Sequence, residues 1–350
     1  PTRRSSDLLP ALYALWDLDE SFGVGHKLRL GLGVNVPFGL ETDYNDGWIG
    51  RYYALHSKLT TLNLNPTIAF EPIRGVSLGA GLQLQYANAT LTNAVDFGTI
   101  GALSGIPFAV PTTQDGRARV TGDDWSYGFT LGAMIEPWSG TRVGVGYRSK
   151  VEHTLRGRAS FRLDEAGVGA ALAGATGAFA NTDVQADLTT PESVNIGIDQ
   201  EIGAGWSVSS EAQWTRWSQF KDLTIDFANP AQPDNVTNED WNDSWFLAFG
   251  VTYRPSAAWA LRAGYAYDQS PVPNRTRKPR IPDNDRHWLA IGASYRPTAN
   301  LLLAAGYTHI FVRDGAIRAS ASDRAGTFRG NLDGRTEASI DIVSVQADWR

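Results

Sequence analysis

The chain of 350 residues has no cysteine, a single methionine, only five histidines and no run of 18 apolar residues. Without cysteine there is no disulfide, thiol nucleophile or thiolate metal site. Without a long apolar run there is no helical membrane span, and the mean hydropathy of −0.25 agrees. The histidines at 26, 56, 153, 287 and 309 show neither HExxH nor a paired metal spacing, and no glycine-rich phosphate loop follows a strand and opens a helix. No enzyme, metal or cofactor is therefore expected. A net charge of −6, with basic residues interleaved among carboxylates, gives no nucleic-acid surface. Length alone would admit two soluble domains, but no linker or change of composition divides the chain.

What is present is alternation. From Arg142 to Arg162 one set of positions carries Val143, Val145, Tyr147, Ser149, Val151, His153, Leu155, Ala159 and Phe161. The other carries Arg142, Gly144, Gly146, Arg148, Lys150, Glu152, Thr154, Arg156, Arg158, Ser160 and Arg162. A period of two puts successive side chains on opposite faces, so the pattern predicts one long strand with an apolar and a charged side. The same alternation recurs at Val76–Tyr86, Trp125–Glu136, His26–Val36, Ser244–Arg254 and Trp259–Asp268, often with Trp or Tyr at an end of the apolar face. Each ring alone reads as a core aromatic; the recurrence points to girdles at two water–lipid boundaries. The fold class expected is all-β, a transmembrane antiparallel up-and-down barrel with lipid outside and a polar lumen.

Short and long connections alternate along this pattern. Tight turns are expected at DESFG (19–23), EPIRG (71–75), EPWSG (136–140), GAG (203–205), RPSAA (254–258) and RPTAN (296–300). Long connections are expected near 40–57, 93–123, 163–190, 222–243, 269–286 and 314–337. Such asymmetry suits an outer-membrane barrel with periplasmic turns and extracellular loops, in a Gram-negative outer membrane. These connections join thirteen strands, whereas closure of a single-chain bacterial barrel takes an even number. Residues 1–8, PTRRSSDL, read as one frame of a common sequencing-library adapter, which leaves 9–350 as the barrel. At least one strand is expected to lie outside this sequence, and the last alternating strand runs on to Arg350.

The blocks LNLNPTIAFEPIRGVSLGAGLQLQYANATL, DDWSYGFTLGAMIEPWSGTRVGVGYRSKVEHTLRG, LTTPESVNIGIDQEI, TRWSQF and YDQSPVPNRTRKPRIPDNDRHWLAIGASY together resemble outer-membrane transporters of the FadL/TodX type. The resemblance runs in consistent order from about residue 9 to 350. It implies a fourteen-stranded barrel plugged by an N-terminal hatch, with the hatch and first strand missing from this sequence. It also implies uptake of long-chain fatty acids or aromatic hydrocarbons. Expected partners are such hydrophobic molecules, outer-membrane lipid and lipopolysaccharide, with the chain acting as a monomer.

Three groups of residues are candidates for the site. The first loop holds Phe97, Ile100, Leu103, Ile106, Phe108 and Val110, and the second, AGVGAALAGATGAFA, holds Val168, Leu172 and Phe179 without a charge. Apolar loops facing water mark either a capture site for a hydrophobic ligand or a lid whose loops pack on each other. The resemblance implies a landing groove there. Pro37, Phe38 and Gly39 could interrupt a strand or simply end it; the resemblance implies a kink that opens a lateral gate into the lipid. Arg148, Lys150, Glu152, Arg156 and Arg158 are expected on the lumen wall, either meeting a ligand carboxylate or forming a solvated network with Glu152, Asp199 and Glu211. The family's basic residues after the YANATL-like strand end and in the fifth loop have no counterpart in Asn93 or PAQPDNVTNED, so the carboxylate partner stays open. A general diffusion porin is disfavoured by the apolar loops. An outer-membrane lipid hydrolase is disfavoured because Ser149 and His153, four apart on one strand, would lie about 13 Å from each other.

Overall fold

A computed structural model describes residues 11–18, 27–321 and 328–349. The expected turn at 19–23, His26 and the segment 1–8 fall outside the described residues. The wall starts with β1 (Leu12–Asp17), β2 (Lys27–Asn35), β3 (Gly39–Asp43), β4 (His56–Ile73), β5 (Val76–Asp96) and β6 (Asp115–Trp138). It continues through β7 (Thr141–Arg148), β8 (Val151–Arg162), β9 (Thr182–Thr190), β10 (Ser193–Gly203) and β11 (Trp206–Thr215). A hairpin of β12 (Asp222–Phe227) and β13 (Asn235–Asn238) follows, then β14 (Ser244–Tyr253), β15 (Trp259–Asp268), β16 (Arg286–Thr298), β17 (Leu301–Ala319) and β18 (Leu332–Trp349). All belong to one antiparallel sheet of 18 strands.

β2 with β3, β7 with β8 and β9 with β10 are halves of single crossings, and the β12–β13 hairpin stands outside the count; the strands thus make thirteen crossings among the described residues. Neighbouring crossings pair throughout, from β1–β2 to β17–β18. The tight turns are built as their glycines require: Gly75 and Gly140, both at φ 83°, close β4–β5 and β6–β7 in a conformation that a side chain would strain.

The band between the turns is apolar on its outer side. Phe129, Leu131, Val145, Ile196, Leu247, Phe249, Leu261 and Leu289 are all exposed there, an arrangement that water would penalise and lipid favours. Rings mark both borders. Trp206 stacks on Tyr253 at 4.5 Å and Trp259 on Tyr295 at 4.6 Å beside the short turns, while Tyr86 meets Trp125 at 5.3 Å towards the long loops. No helix of the described residues is long and apolar enough to cross a membrane.

The strand expected to run unbroken from Arg142 to Arg162 is two strands, and its faces exchange roles at the break. On β7, Val145 pairs with Ala133 and faces lipid, while Arg148 faces the lumen opposite Thr130. Past Ser149 and Lys150 the ladder with β6 resumes only at Arg156↔Asp123, shifted by one residue. A shift of one residue turns every following side chain over. Val151, His153, Leu155 and Ala159 therefore point inward and are buried, and Lys150, Glu152, Arg156 and Arg158 point outward and are exposed. The expectation that these four line the lumen is corrected: of the five charged candidates only Arg148 does. Lys150 and Glu152 pair with each other at 2.6 Å on the outer side.

The missing ladder bonds are replaced by side chains. Ser149 Oγ accepts from Phe129 N at 2.8 Å, Ser126 Oγ donates to the Glu152 carbonyl at 2.6 Å, and Asp124 accepts from Thr154 N at 3.2 Å. Gly128 permits the inward dip, since a Cβ there would lie 2.6 Å from Ser149 Oγ and 2.8 Å from Val151 Cγ2. The long connections are also more ordered than expected: β5 and β6 pair continuously as far as Asp96↔Asp115, and β17 and β18 as far as Ala319↔Leu332.

The assignment of faces has a direct consequence. Val145→Arg should destabilise the barrel by about 2–4 kcal/mol, the cost of a cation on the lipid face near mid-bilayer, whereas Arg148→Ser should change stability far less. Reversible unfolding in lipid vesicles measures both; equal costs would reverse the assignment.

Candidate functional site

Inside the long-loop half of the barrel lies a cavity of about 650 Å³. Its walls follow from the inward positions of the sheet above the break: Leu59, Ala89, Leu91, Val120, Leu155, Val184, Ala186 and Leu188. Trp217, Phe220, Leu223, Ile225, Trp241 and Ile281 close the far side. Most of these residues belong to two packed clusters, one around Ala159, Val184 and Ile225, the other around Phe220, Trp241 and Val272. The cavity is thus a largely apolar chamber built from the strands and the connections after β11, β13 and β15, not from the two apolar loops.

Pro37, Phe38 and Gly39 line it too. β2 pairs with β4 up to Asn35↔Asn63 and β3 resumes at Gly39↔Thr60, so residues 36–38 face only two residues of β4. This is a bulge, placed where proline cannot donate to the ladder. Thr61 secures it: its hydroxyl donates to the Phe38 carbonyl at 2.8 Å and accepts from Phe38 N at 3.0 Å, while its amide donates to the same carbonyl at 3.1 Å. Phe38 meets the edge of Trp217 across the chamber at 5.8 Å. The strand is interrupted here, not ended.

The loop candidates divide into two sets. In the first loop a helix α1 (Phe97–Leu103) is capped by Asp96, which accepts from Thr99 N at 2.8 Å; in the second, α2 (Val168–Thr176) starts where Asp164 accepts from Val168 N at 3.1 Å. Phe97, Val168 and Leu172 are buried between the helices, with Ile100, Ile106 and Phe179 packed beside them. Leu103, Phe108 and Val110 remain exposed. Phe179 meets Phe97 at 5.0 Å and Phe161 of the wall at 5.8 Å, which joins this lid to the sheet.

Two guanidiniums look into the chamber, and sequence reasoning named neither. Arg286 is neutralised by Asp268 at 3.2 Å and Asp283 at 3.6 Å. Arg280 is different: it donates to Ser57 Oγ and to the Tyr53 carbonyl, both at 3.0 Å, and among the described residues no carboxylate lies within ion-pair distance. Burial pushes its pKa down to about 10, still leaving it charged at neutral pH. For Glu239, in the loop after β13, burial pushes the carboxyl up to about 7, against the pull of Lys278, of Trp241 Nε1, which donates to it at 3.2 Å, and of Arg280. The signal for Arg280 was in the RKPRIPDNDRHWL block, but its position in the chamber depends on a loop crossing to Ser57, 223 residues away.

Below the chamber the candidates for a hydrolytic pair stay apart. Ser149 serves Phe129 N, and His153 is held between Asp124 at 3.2 Å and Gln85 at 3.0 Å. Among the described residues no cluster of His, Asp and Glu could hold a metal ion.

The family model of outer membrane transport proteins described as OMPP1/FadL/TodX matches residues 4–350. The chain belongs to that family. Its members are transport proteins, not enzymes, and the chain is accordingly an outer-membrane barrel of a Gram-negative type. An outer membrane protein of Neisseria meningitidis serogroup B is 31% identical over 351 residues, covering 94% of this chain and 75% of that protein. The long-chain fatty acid transport protein of Escherichia coli K12 is 27% identical over 79% of this chain, which spans 64% of that protein's length. The crystal structure of a Pseudomonas aeruginosa FadL homologue superposes with a TM-score of 0.87 at 27% identity, covering 97% of this chain and 78% of that one. The Pseudomonas putida toluene transporter TodX, at TM-score 0.72, 17% identity and 98% and 82% coverage, shares the fold.

The lid makes a prediction of its own. Replacing Leu103, Phe108 and Val110 together with Ser should leave the Phe97–Val168–Leu172 core and the barrel's thermal transition unchanged, yet reduce uptake at limiting ligand several-fold if these exposed groups collect it. Uptake that matches the unaltered protein at every ligand concentration would remove the loops from the route.

Proposed function

We propose that this transporter takes up hydrophobic molecules bearing an anionic head, long-chain fatty acids foremost, holds them in the apolar chamber and releases them sideways at Pro37–Gly39. The observation that carries the reading is Arg280: a half-buried cation with no carboxylate within ion-pair distance among the described residues, at the wall of a chamber lined mostly by aliphatic and aromatic groups, whose other charged lining is Lys58 and the Arg286–Asp268–Asp283 group. A guanidinium drawn partly out of water with neutral partners and no counter-charge is costly, and a ligand carboxylate would pair it while the acyl chain fills the chamber. The exposed loop residues Leu103, Phe108 and Val110 offer a first contact, Phe97, Ile100, Ile106, Val168, Leu172 and Phe179 support them, and the bulge at residues 36–38 gives an exit towards lipid. Lateral release suits such cargo, which would otherwise have to cross water. The exposed apolar band then faces outer-membrane lipid and lipopolysaccharide, and the complete set of proposed sites within one chain supports a monomer.

Aromatic hydrocarbons are the second reading, favoured by the ring-rich far wall of Trp217, Phe220 and Trp241. Arg280→Met separates the two. It should weaken binding of a long-chain carboxylate by about tenfold to a hundredfold, the worth of a charge-assisted hydrogen bond in a buried site, and leave toluene binding unchanged. Equal effects on both ligands would refute the anchor, and uptake of a labelled sugar as fast as of a labelled fatty acid would favour a diffusion pore.

The same anchor gives a pH dependence. Glu239 is neutral below about pH 7 and ionised above it. Once ionised it offsets the field of Arg280, so affinity for the carboxylate ligand should fall as pH rises through 7. Glu239→Gln should flatten the profile at the low-pH affinity; a slope that persists in that variant would assign the titration to another group.

A further inference from the structure

The inward positions of five crossings change from apolar to polar at the foot of the chamber. On β4 Leu59 gives way to Thr61 and Asn63, and on β5 Ala89 to Gln85 and Gln83. On β6 Gly122 gives way to Asp124, on β8 Leu155 to His153, and on β9 Leu188 to Thr190. Asn35, Asn63 and Gln85 are successive ladder partners on β2, β4 and β5, so the polar row begins on the strand that carries the bulge, one residue below it.

The row is also tied across the lumen. Gln85 Oε1 receives Thr190 Oγ1 at 3.1 Å and meets His153 Nε2 at 3.0 Å, while His153 Nδ1 meets Asp124 at 3.2 Å. The inward dip of β8 after Ser149 carries His153 far enough in to reach past β6 to β5. Asn63, Gln85 and His153 are almost wholly buried, and Asn63 and the Gln85 amide nitrogen keep hydrogen-bonding capacity unused among the described residues.

We propose that this belt is a floor that sets the depth at which apolar cargo stops, and so directs it out through the break at Pro37–Gly39 instead of down the lumen. The inference rests on the lateral-release reading. An acyl chain lying on the belt would strip amides and a carboxylate of other partners and return none, whereas the break beside Asn35 leads into hydrocarbon. Gln85 and His153 act here as specificity-determining residues, by excluding apolar matter from the lower lumen.

The test uses the full-length protein in vesicles and a fatty acid with a photoreactive diazirine at its chain end. In the unaltered protein, cross-links should fall on the chamber wall and on residues 36–40, and not on lower-lumen positions such as Gly144 and Asn195. Gln85→Leu with His153→Leu should extend cross-links to those lower positions and slow transfer to the bilayer about tenfold. The polar pair Gln85→Asn with His153→Gln, made to control for folding, should keep the unaltered cross-link pattern. An unchanged pattern and rate in a heat-modifiable, folded Leu/Leu variant would overturn the floor. So would lower-lumen cross-links in the polar pair equal to those of the Leu/Leu variant, because polarity would then not be the cause. Absence of cross-links at residues 36–40 in the unaltered protein would instead overturn the lateral exit on which the inference rests.

Discussion

Backbone pairing in a solvent that offers no hydrogen bonds governs this molecule. In lipid each N–H and C=O must find a partner within the sheet, so thirteen crossings are laddered to their neighbours among the described residues and their outward side chains can be mostly apolar. Beside the tight turns, backbone bonds such as Glu136 N to the Gly75 carbonyl close the irregularities, whereas the two breaks at the foot of the chamber are repaired by side chains. Thr61 holds Phe38 on both its amide and its carbonyl, and Ser149, Ser126 and Asp124 hold the β6–β8 gap.

Those repairs allow one tube to have two kinds of interior. Below the breaks the lumen is lined by groups such as Arg142, which pairs with Asp199 at 3.5 Å, and Asn195, which donates to Glu211 at 3.3 Å. Above them the one-residue register shifts turn aliphatic side chains inward and charged ones outward. Leu155 then helps to enclose the chamber while Arg156 and Arg158 meet water outside. A hydrophobic chamber within a membrane barrel is thus produced by phase, with no change in the alternating pattern itself.

The lid shows a similar economy. Its apolar residues serve two purposes: Phe97, Val168 and Leu172 form the small core that lets α1 and α2 fold outside the membrane, and Leu103, Phe108 and Val110 are left at the surface. Both readings of an apolar loop, a packed lid and a capture surface, hold for different residues of the same segment.

Period-two alternation, turn chemistry and the scarcity of long apolar runs determined from the sequence alone that the chain is an outer-membrane barrel with thirteen crossings, because these depend on local side-chain order. The proline–glycine pair at 37–39 also carried its own signal of a break. Which face of each strand meets lipid was legible only up to the next bulge. Past Arg148 the alternation continues unbroken in the sequence while the register slips, so Lys150, Glu152, Arg156 and Arg158 could not be told from lumen residues. Arg280 and the row from Asn35 to His153 were equally hidden, since they are assembled by strands and a loop far apart in the chain. Tertiary structure decided the site because a single residue's shift in pairing, which costs the sequence pattern nothing, exchanges inside for outside.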